Sequence, residues 1–187
     1  MKKKLCSASI LLTFSISSFA EPPSFNFIQW GYSDLQYDDF NVDMDGYEFK
    51  ANYELSDSVY MNYEKMSVNT SGIDFDTRHI GLGVKSIVGP DTVLFAQIDW
   101  ANFDVDTRYN ANNSDQDGHR ASVGLRKNLT DKFEVKAAYE YLDVEDDTSD
   151  IFVLGAAYEI SPHFFLYADY RRDSDYDQIG LGIRFEI

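Results

Sequence analysis

Tyr47-Glu48-Phe49-Lys50-Ala51-Asn52-Tyr53-Glu54-Leu55 is apolar at every odd position and polar at every even one. Successive side chains of an extended chain point to opposite sides, so this stretch dictates a strand with one apolar and one polar face. The chain ends on the same pattern. Ile179, Leu181, Ile183, Phe185 and Ile187 share one face, and Gln178, Gly180, Gly182, Arg184 and Glu186 share the other.

Working outward from these two segments, the alternation predicts further strands near 25–33, 59–67, 78–88, 93–103, 118–129, 133–142, 151–160 and 164–171, ten in all. Tight turns are expected at Ser56-Asp57-Ser58, Gly89-Pro90-Asp91-Thr92, Thr130-Asp131-Lys132 and Ser161-Pro162-His163, where Gly, Pro, Ser and Asp supply turn chemistry. Longer, Asp-filled loops are expected near 34–45, 68–77, 104–117, 143–150 and 172–177. Alternating short and long connections put one set of turns on each side of a barrier. An even strand count returns both termini to the same side.

Before the first strand, Lys2, Lys3 and Lys4 precede an apolar stretch through Ile10, Leu11, Leu12 and Phe14, followed by Ser18-Phe19-Ala20. This is the layout of a cleavable export leader, giving a signal peptide over 1–20 and one domain over 21–187. Cys6 is the only cysteine, so the expected mature chain has no thiol for disulfides, nucleophilic catalysis or metal binding. The formal charge of −16 would become −19 once the three leader lysines are gone, which excludes a nucleic-acid partner on electrostatic grounds. No later run of 18 apolar residues offers a helical membrane span.

Alternation alone leaves open which way the apolar face points. Charges and glycines on the polar face (Gly81, Gly83, Gly124, Gly155, Gly180, Gly182) suit a narrow packed lumen. Aromatics near strand ends (Trp100, Phe133, Tyr139, Tyr141, Tyr158, Phe164, Tyr170) suit interfacial girdles, so the apolar face is read as facing lipid. The predicted fold is all-β, an up-and-down antiparallel transmembrane β-barrel of ten strands, with eight as the alternative. At this point the chain resembles the small outer-membrane β-barrels of Gram-negative bacteria, OmpA-like or OmpX-like porin-type barrel domains. Leu181, Ile183 and Phe185, alternating ahead of the terminus, resemble the signal read by the barrel-assembly machinery, although the chain ends on Ile187. The resemblance implies an outer-membrane location, contact with outer-membrane lipid and lipopolysaccharide, and a monomer.

The five predicted loops hold 19 Asp and Glu against Arg108 and Arg172, so the negative field concentrates on one side of the barrel. The remaining charges are nearly balanced and fall largely on the polar face. Glu48, Lys50, Glu64, Lys85, Asp99, Arg120, Arg126, Lys136, Glu140, Asp169, Arg171 and Arg184 are expected to point inward as a paired network. A ten-stranded interior is narrow, whereas open aqueous channels belong to barrels of 16–18 strands.

Asn41-Val42-Asp43-Met44-Asp45-Gly46 recurs as Asn113-Ser114-Asp115-Gln116-Asp117-Gly118. Oxygen ligands at alternate positions followed by Gly match the first half of a calcium loop. The twelfth positions fall on Asn52 and Gly124, which excludes an EF-hand. A weak Ca²⁺ site on Asn41, Asp43, Asp45, Asn113, Asp115 and Asp117, helped by Asp146 and Asp147, is the cofactor expectation; solvated turn residues are the plainer reading. Three histidines invite an enzymatic reading: His119 beside Asp115, Asp117 and Ser114; His79 after Asp76; and His163 in a turn. No nucleophile motif accompanies them, and the expectation is that the protein is not an enzyme. The first functional expectation is therefore a non-enzymatic envelope protein whose acidic loops bind cations, cationic ligands or surfaces, in integrity or adhesion. A narrow porin-like channel for ions or small solutes is the second, and a rim-active enzyme the third.

Overall fold

A strand with one apolar face is stable only where that face meets an apolar medium, and a sheet with no free edge leaves no backbone group unpaired in lipid. The computed structural model describes residues 21–37, 42–107, 114–145 and 147–187 and realises both conditions. The predicted leader and Asn41, Asn113 and Asp146 lie outside the described residues. Ten strands follow one another: β1 Phe27–Tyr37, β2 Val42–Ser56, β3 Val59–Thr70, β4 Ile73–Gly89, β5 Thr92–Thr107, β6 Ser114–Thr130, β7 Phe133–Val144, β8 Asp147–Ser161, β9 Phe164–Arg172 and β10 Tyr176–Glu186. Each pairs antiparallel with its neighbours, and β1 with β10 closes the barrel, Phe27 opposite Glu186 and Tyr37 opposite Tyr176. Tracing paired residues once around returns to β1 about twelve residues along, a stagger that tilts the strands by roughly 40°.

The outer wall is apolar over the height of a bilayer. Ile98, Phe152, Leu154, Leu82 and Leu181 stand exposed on it, as side chains facing lipid must. One aromatic ring carries Trp30 stacked on Tyr47, with Tyr32 and Trp100, and the other carries Tyr53, Tyr158, Phe164 and Phe185. At the second end, four turns of two residues each (57–58, 90–91, 131–132, 162–163) join the hairpins. Each follows a one-residue register shift, at Glu54/Ser56, Ile87/Gly89, Asn128/Thr130 and Glu159/Ser161. Such bulges sharpen strand twist and let a short turn close.

The acidic end departs from expectation. The five long loops are mostly strand: β4, β5 and β6 run for 17, 16 and 17 residues, where about 9–11 tilted residues cross a bilayer. The 68–77 loop shrinks to Ser71 and Gly72, the latter at a φ of 97°. Asp is a poor strand former in general, but here it alternates with Leu35, Met44, Phe75, Phe103 and Val105, and the alternation wins. In this extension the polarity of the two faces inverts. Leu35, Met44, Met66 and Val68 form a buried cluster inside, with Tyr37, Val42, Phe75 and Tyr176 packed on it. Asp residues face out and stand opposite one another across the sheet: Asp34 with Asp45, Asp76 with Asp104, Asp104 with Asp115. Below the girdle the barrel is built for lipid. Above it the same strands form an acidic collar built for water.

Candidate functional site

The polar face of the strands fills the lumen with charge, arranged in two storeys. Residues at even positions of β2 and β6 and odd positions of β4 and β5 point inward, which brings distant parts of the sequence within hydrogen-bond reach. In the middle storey Arg120 donates from Nε to Asp99 at 2.8 Å, and from Nη1 to Glu64 at 3.1 Å and Glu140 at 3.4 Å. Arg171 Nη2 lies 2.8 Å from Glu64. Lys50 Nζ reaches Asp169 at 3.0 Å, Glu48 at 3.4 Å and Glu64 at 3.9 Å. Tyr167 donates its hydroxyl to Glu48 at 2.8 Å. The Lys136 ammonium sits 5.9 Å from the centre of the Phe95 ring. Arg120 is 2% exposed and Asp99 1%. Charges so deeply withdrawn from bulk water must be paired, and these are.

In the lower storey Glu134 is gripped by two guanidinium groups. Arg126 binds it through Nε and Nη2, both at 2.8 Å, and Arg184 through Nη1 at 3.2 Å and Nη2 at 2.8 Å. Lys85 pairs with Glu54 at 2.6 Å. All twelve residues expected in the lumen network thus point inward.

Three cavities lie along the axis. The collar encloses one of about 400 Å³, the storeys surround one of about 80 Å³, and the turn end opens into one of about 510 Å³. Arg120, Glu140, Arg171 and Glu64 separate the first two, and Glu134 borders the second and third. The middle space has room for a few waters but not for a hydrated solute.

Sequence reading missed the stopper at the turn end. Phe25 lies ahead of β1, inside the barrel and 2% exposed, its ring 4.6 Å from Tyr60 and 5.8 Å from Phe95. Arg126 lies over that ring at 4.7 Å and donates to the Ser24 carbonyl at 2.6 Å. The Phe25 N–H donates to Glu54 at 2.9 Å. The available signal was parity: Phe25 and Phe27 share the inward face with Gln29. Tyr60 fits because Gly83 opposite it has no Cβ, which would meet the tyrosine ring.

The two Asp motifs do not meet. Asp43 and Asp45 lie on β2, Asp115 and Asp117 on β6, with three strands between them. Asn102 Nδ2 bridges Asp115 and Asp117 at 2.5 and 3.1 Å. Asp147 borders the collar cavity. Among the described residues no three His, Cys, Asp or Glu side chains gather into a metal cage. The histidines separate from their sequence neighbours by face. His119 points outward, between Trp100 and Asp143 in the register, while Ser114 points inward. His79 points into the lumen, edge-on to Phe103 at 5.7 Å, and Asp76 faces out. His163 packs in its turn against Phe185.

A family model described as Gram-negative porin matches residues 28–178. Among solved structures, the KdgM porin in complex with disordered oligogalacturonate superposes with a TM-score of 0.56 at 8% identity, covering 86% of this chain and 99% of that one. A second structure of KdgM porin gives a TM-score of 0.51 at 9% identity, covering 85% of this chain and 99% of that one. The N-terminal β-barrel domain of Pseudomonas aeruginosa OprF gives 0.47 at 13% identity, covering 87% of this chain and 98% of that one. At such identities the likeness concerns the fold alone. No curated protein matches the sequence.

Proposed function

We propose, from the premise that this chain belongs to the Gram-negative porin family, that it is a monomeric, non-enzymatic outer-membrane barrel that works through its acidic collar rather than through an open lumen. One observation carries the reading. Arg120, Arg171 and Lys50 bridge the interior between Glu64, Asp99, Glu140 and Asp169 at 2.8–3.9 Å, leaving about 80 Å³ between the walls. The carboxylates of the collar, by contrast, stand side by side around the outer rim. Asp76, Asp104 and Asp115 form a row across β4, β5 and β6, an arrangement that repels itself until a cation bridges or approaches it. Such a field captures calcium or cationic peptides and steers cationic surfaces toward the rim. Below the collar, Lys65 and Arg78 face each other on the outer wall, where they suit the phosphates of outer-leaflet lipopolysaccharide. The barrel-assembly machinery is the expected insertion partner.

The test is conductance of the refolded protein in a planar bilayer, with and without millimolar calcium. Silence from verified folded barrels supports a closed lumen. Stable openings would transfer the function to a second reading, a narrow channel, which the three cavities in line along the axis favour. A rim enzyme finds less support, since Ser114 and His119 face opposite sides of β6.

A further inference from the structure

The cavity enclosed by the collar has walls and floor of different kinds. Its walls carry an apolar patch, Phe75 and Phe103 side by side at 6.3 Å between ring centres with Leu35, Met66 and Ile151 around them, next to the polar side chains of Thr77, Gln116 and Gln178. Its floor is the top of the middle storey, where two buried polar atoms, Arg171 Nε and His79 Nδ1, have no hydrogen-bond partner among the described residues. A buried polar atom is normally satisfied, and an arginine Nε can only donate. Its lip carries the carboxylates of Asp147, Asp173 and Asp175. At about 400 Å³ the space falls within the range of small-molecule sites.

We infer that this vestibule is a binding site for a small cationic amphiphile. A flat apolar body lies against Phe75 and Phe103, an acceptor atom at the inner end receives the Arg171 Nε hydrogen, and the positive group stays at the lip beside Asp173 and Asp175. Charge complementarity selects this occupant over an anionic one. A cation entering from outside crosses only the negative collar, whereas an anion is repelled before it reaches the floor. The inference rests on the collar reading for its charge preference and on the cavity for its shape.

The experiment titrates the purified barrel, in dodecylmaltoside, with acridine orange, followed by fluorescence anisotropy. The anionic dye 1-anilinonaphthalene-8-sulfonate and the neutral N-phenyl-1-naphthylamine are run in parallel. One saturable acridine orange site per barrel is expected, at least tenfold tighter than either comparison dye. Ser149→Trp, which adds bulk at the lip of the cavity without touching the storeys, should weaken it tenfold or more. Asp173→Asn with Asp175→Asn should weaken acridine orange and leave the neutral dye unchanged. Heat-modifiable migration on gels verifies that each variant is folded. Equal affinity for the three dyes, or affinity untouched by both sets of substitutions, overturns the inference. Polylysine binding separates the two readings: it survives Ser149→Trp if the collar alone binds cations, and its absence from the unaltered protein defeats the collar reading instead.

Discussion

Arg120→Met tests whether the lumen is a dry network or a wet one. The guanidinium lies 2.8 Å from Asp99, 3.1 Å from Glu64 and 3.4 Å from Glu140, and the side chain is 2% exposed. The middle storey holds five carboxylates (Glu48, Glu64, Asp99, Glu140, Asp169) against four cations (Lys50, Arg120, Lys136, Arg171), so the substitution doubles its formal excess of negative charge. Glu64 keeps Arg171 and Lys50, and Glu140 keeps Arg171 at 4.0 Å, but among the described residues Asp99 keeps only the amide of Gln97 at 2.7 Å. Removing one member of a buried ion pair costs about 3–5 kcal/mol, because the other charge is left uncompensated. With a urea m-value of about 2 kcal/mol per molar, the unfolding midpoint should fall by roughly 2 M. Urea unfolding in lipid vesicles, followed by tryptophan fluorescence, reads this directly. Adding Asp99→Asn removes the stranded charge and should recover a large part of the loss. A single-variant loss under about 1 kcal/mol, the value of a solvated pair, would refute the dry lumen. So would a double variant no more stable than the single.

Three further outcomes follow from other parts of the barrel. Phe25→Ala removes the stopper between Tyr60, Phe95 and Arg126 and should cost about 3–5 kcal/mol while raising the frequency of brief openings in a planar bilayer. Gly83→Val drives a side chain into the Tyr60 ring and should lower thermal stability by about 1–3 kcal/mol or more, read as loss of heat-modifiable folded protein. At the β4–β5 turn, hydrogen bonds from Lys127 and Thr92 hold the Asp91 carboxyl below its ordinary value of 3.8. A lowered folded value means that this contribution is present above pH 3.8 and is lost as pH falls through the folded value, so Asp91→Asn should flatten the acid dependence of hydrogen exchange in that turn.

The membrane wall and the lumen were legible because period two leaves no freedom. Once Tyr47 and Phe49 face lipid, Glu48 and Lys50 must face the axis. The turns declared themselves through Pro90, Pro162 and their neighbours. The collar was hidden by composition, since Asp34, Asp43, Asp74 and Asp104 read as loop residues. Their apolar partners Leu35, Met44, Phe75 and Phe103 carried the same alternation, but with the polar side now outward. Phe25 was hidden for a different reason. It sits ahead of the first strand pairing, so only its three-dimensional neighbours Tyr60 and Phe95, far along the chain, give it a role. Which carboxylate each arginine selects was equally out of reach, since it depends on the stagger of strands that sequence leaves undetermined.

The inversion of the strand faces gives this barrel a fixed draught. A lipid-facing belt that simply faded into polar loops would let the molecule ride higher or lower as bilayer thickness varied. Here, two residues beyond Tyr32 and Tyr47 the outward positions become Asp34 and Asp45, so sinking by one pleat would immerse charge at many points around the rim at once. Each immersed charge costs something under about 2–4 kcal/mol, less near the interface, and the penalties mount with the number of strands submerged. The protein therefore floats at one level, and where the membrane does not match its belt, the lipid must bend to meet it.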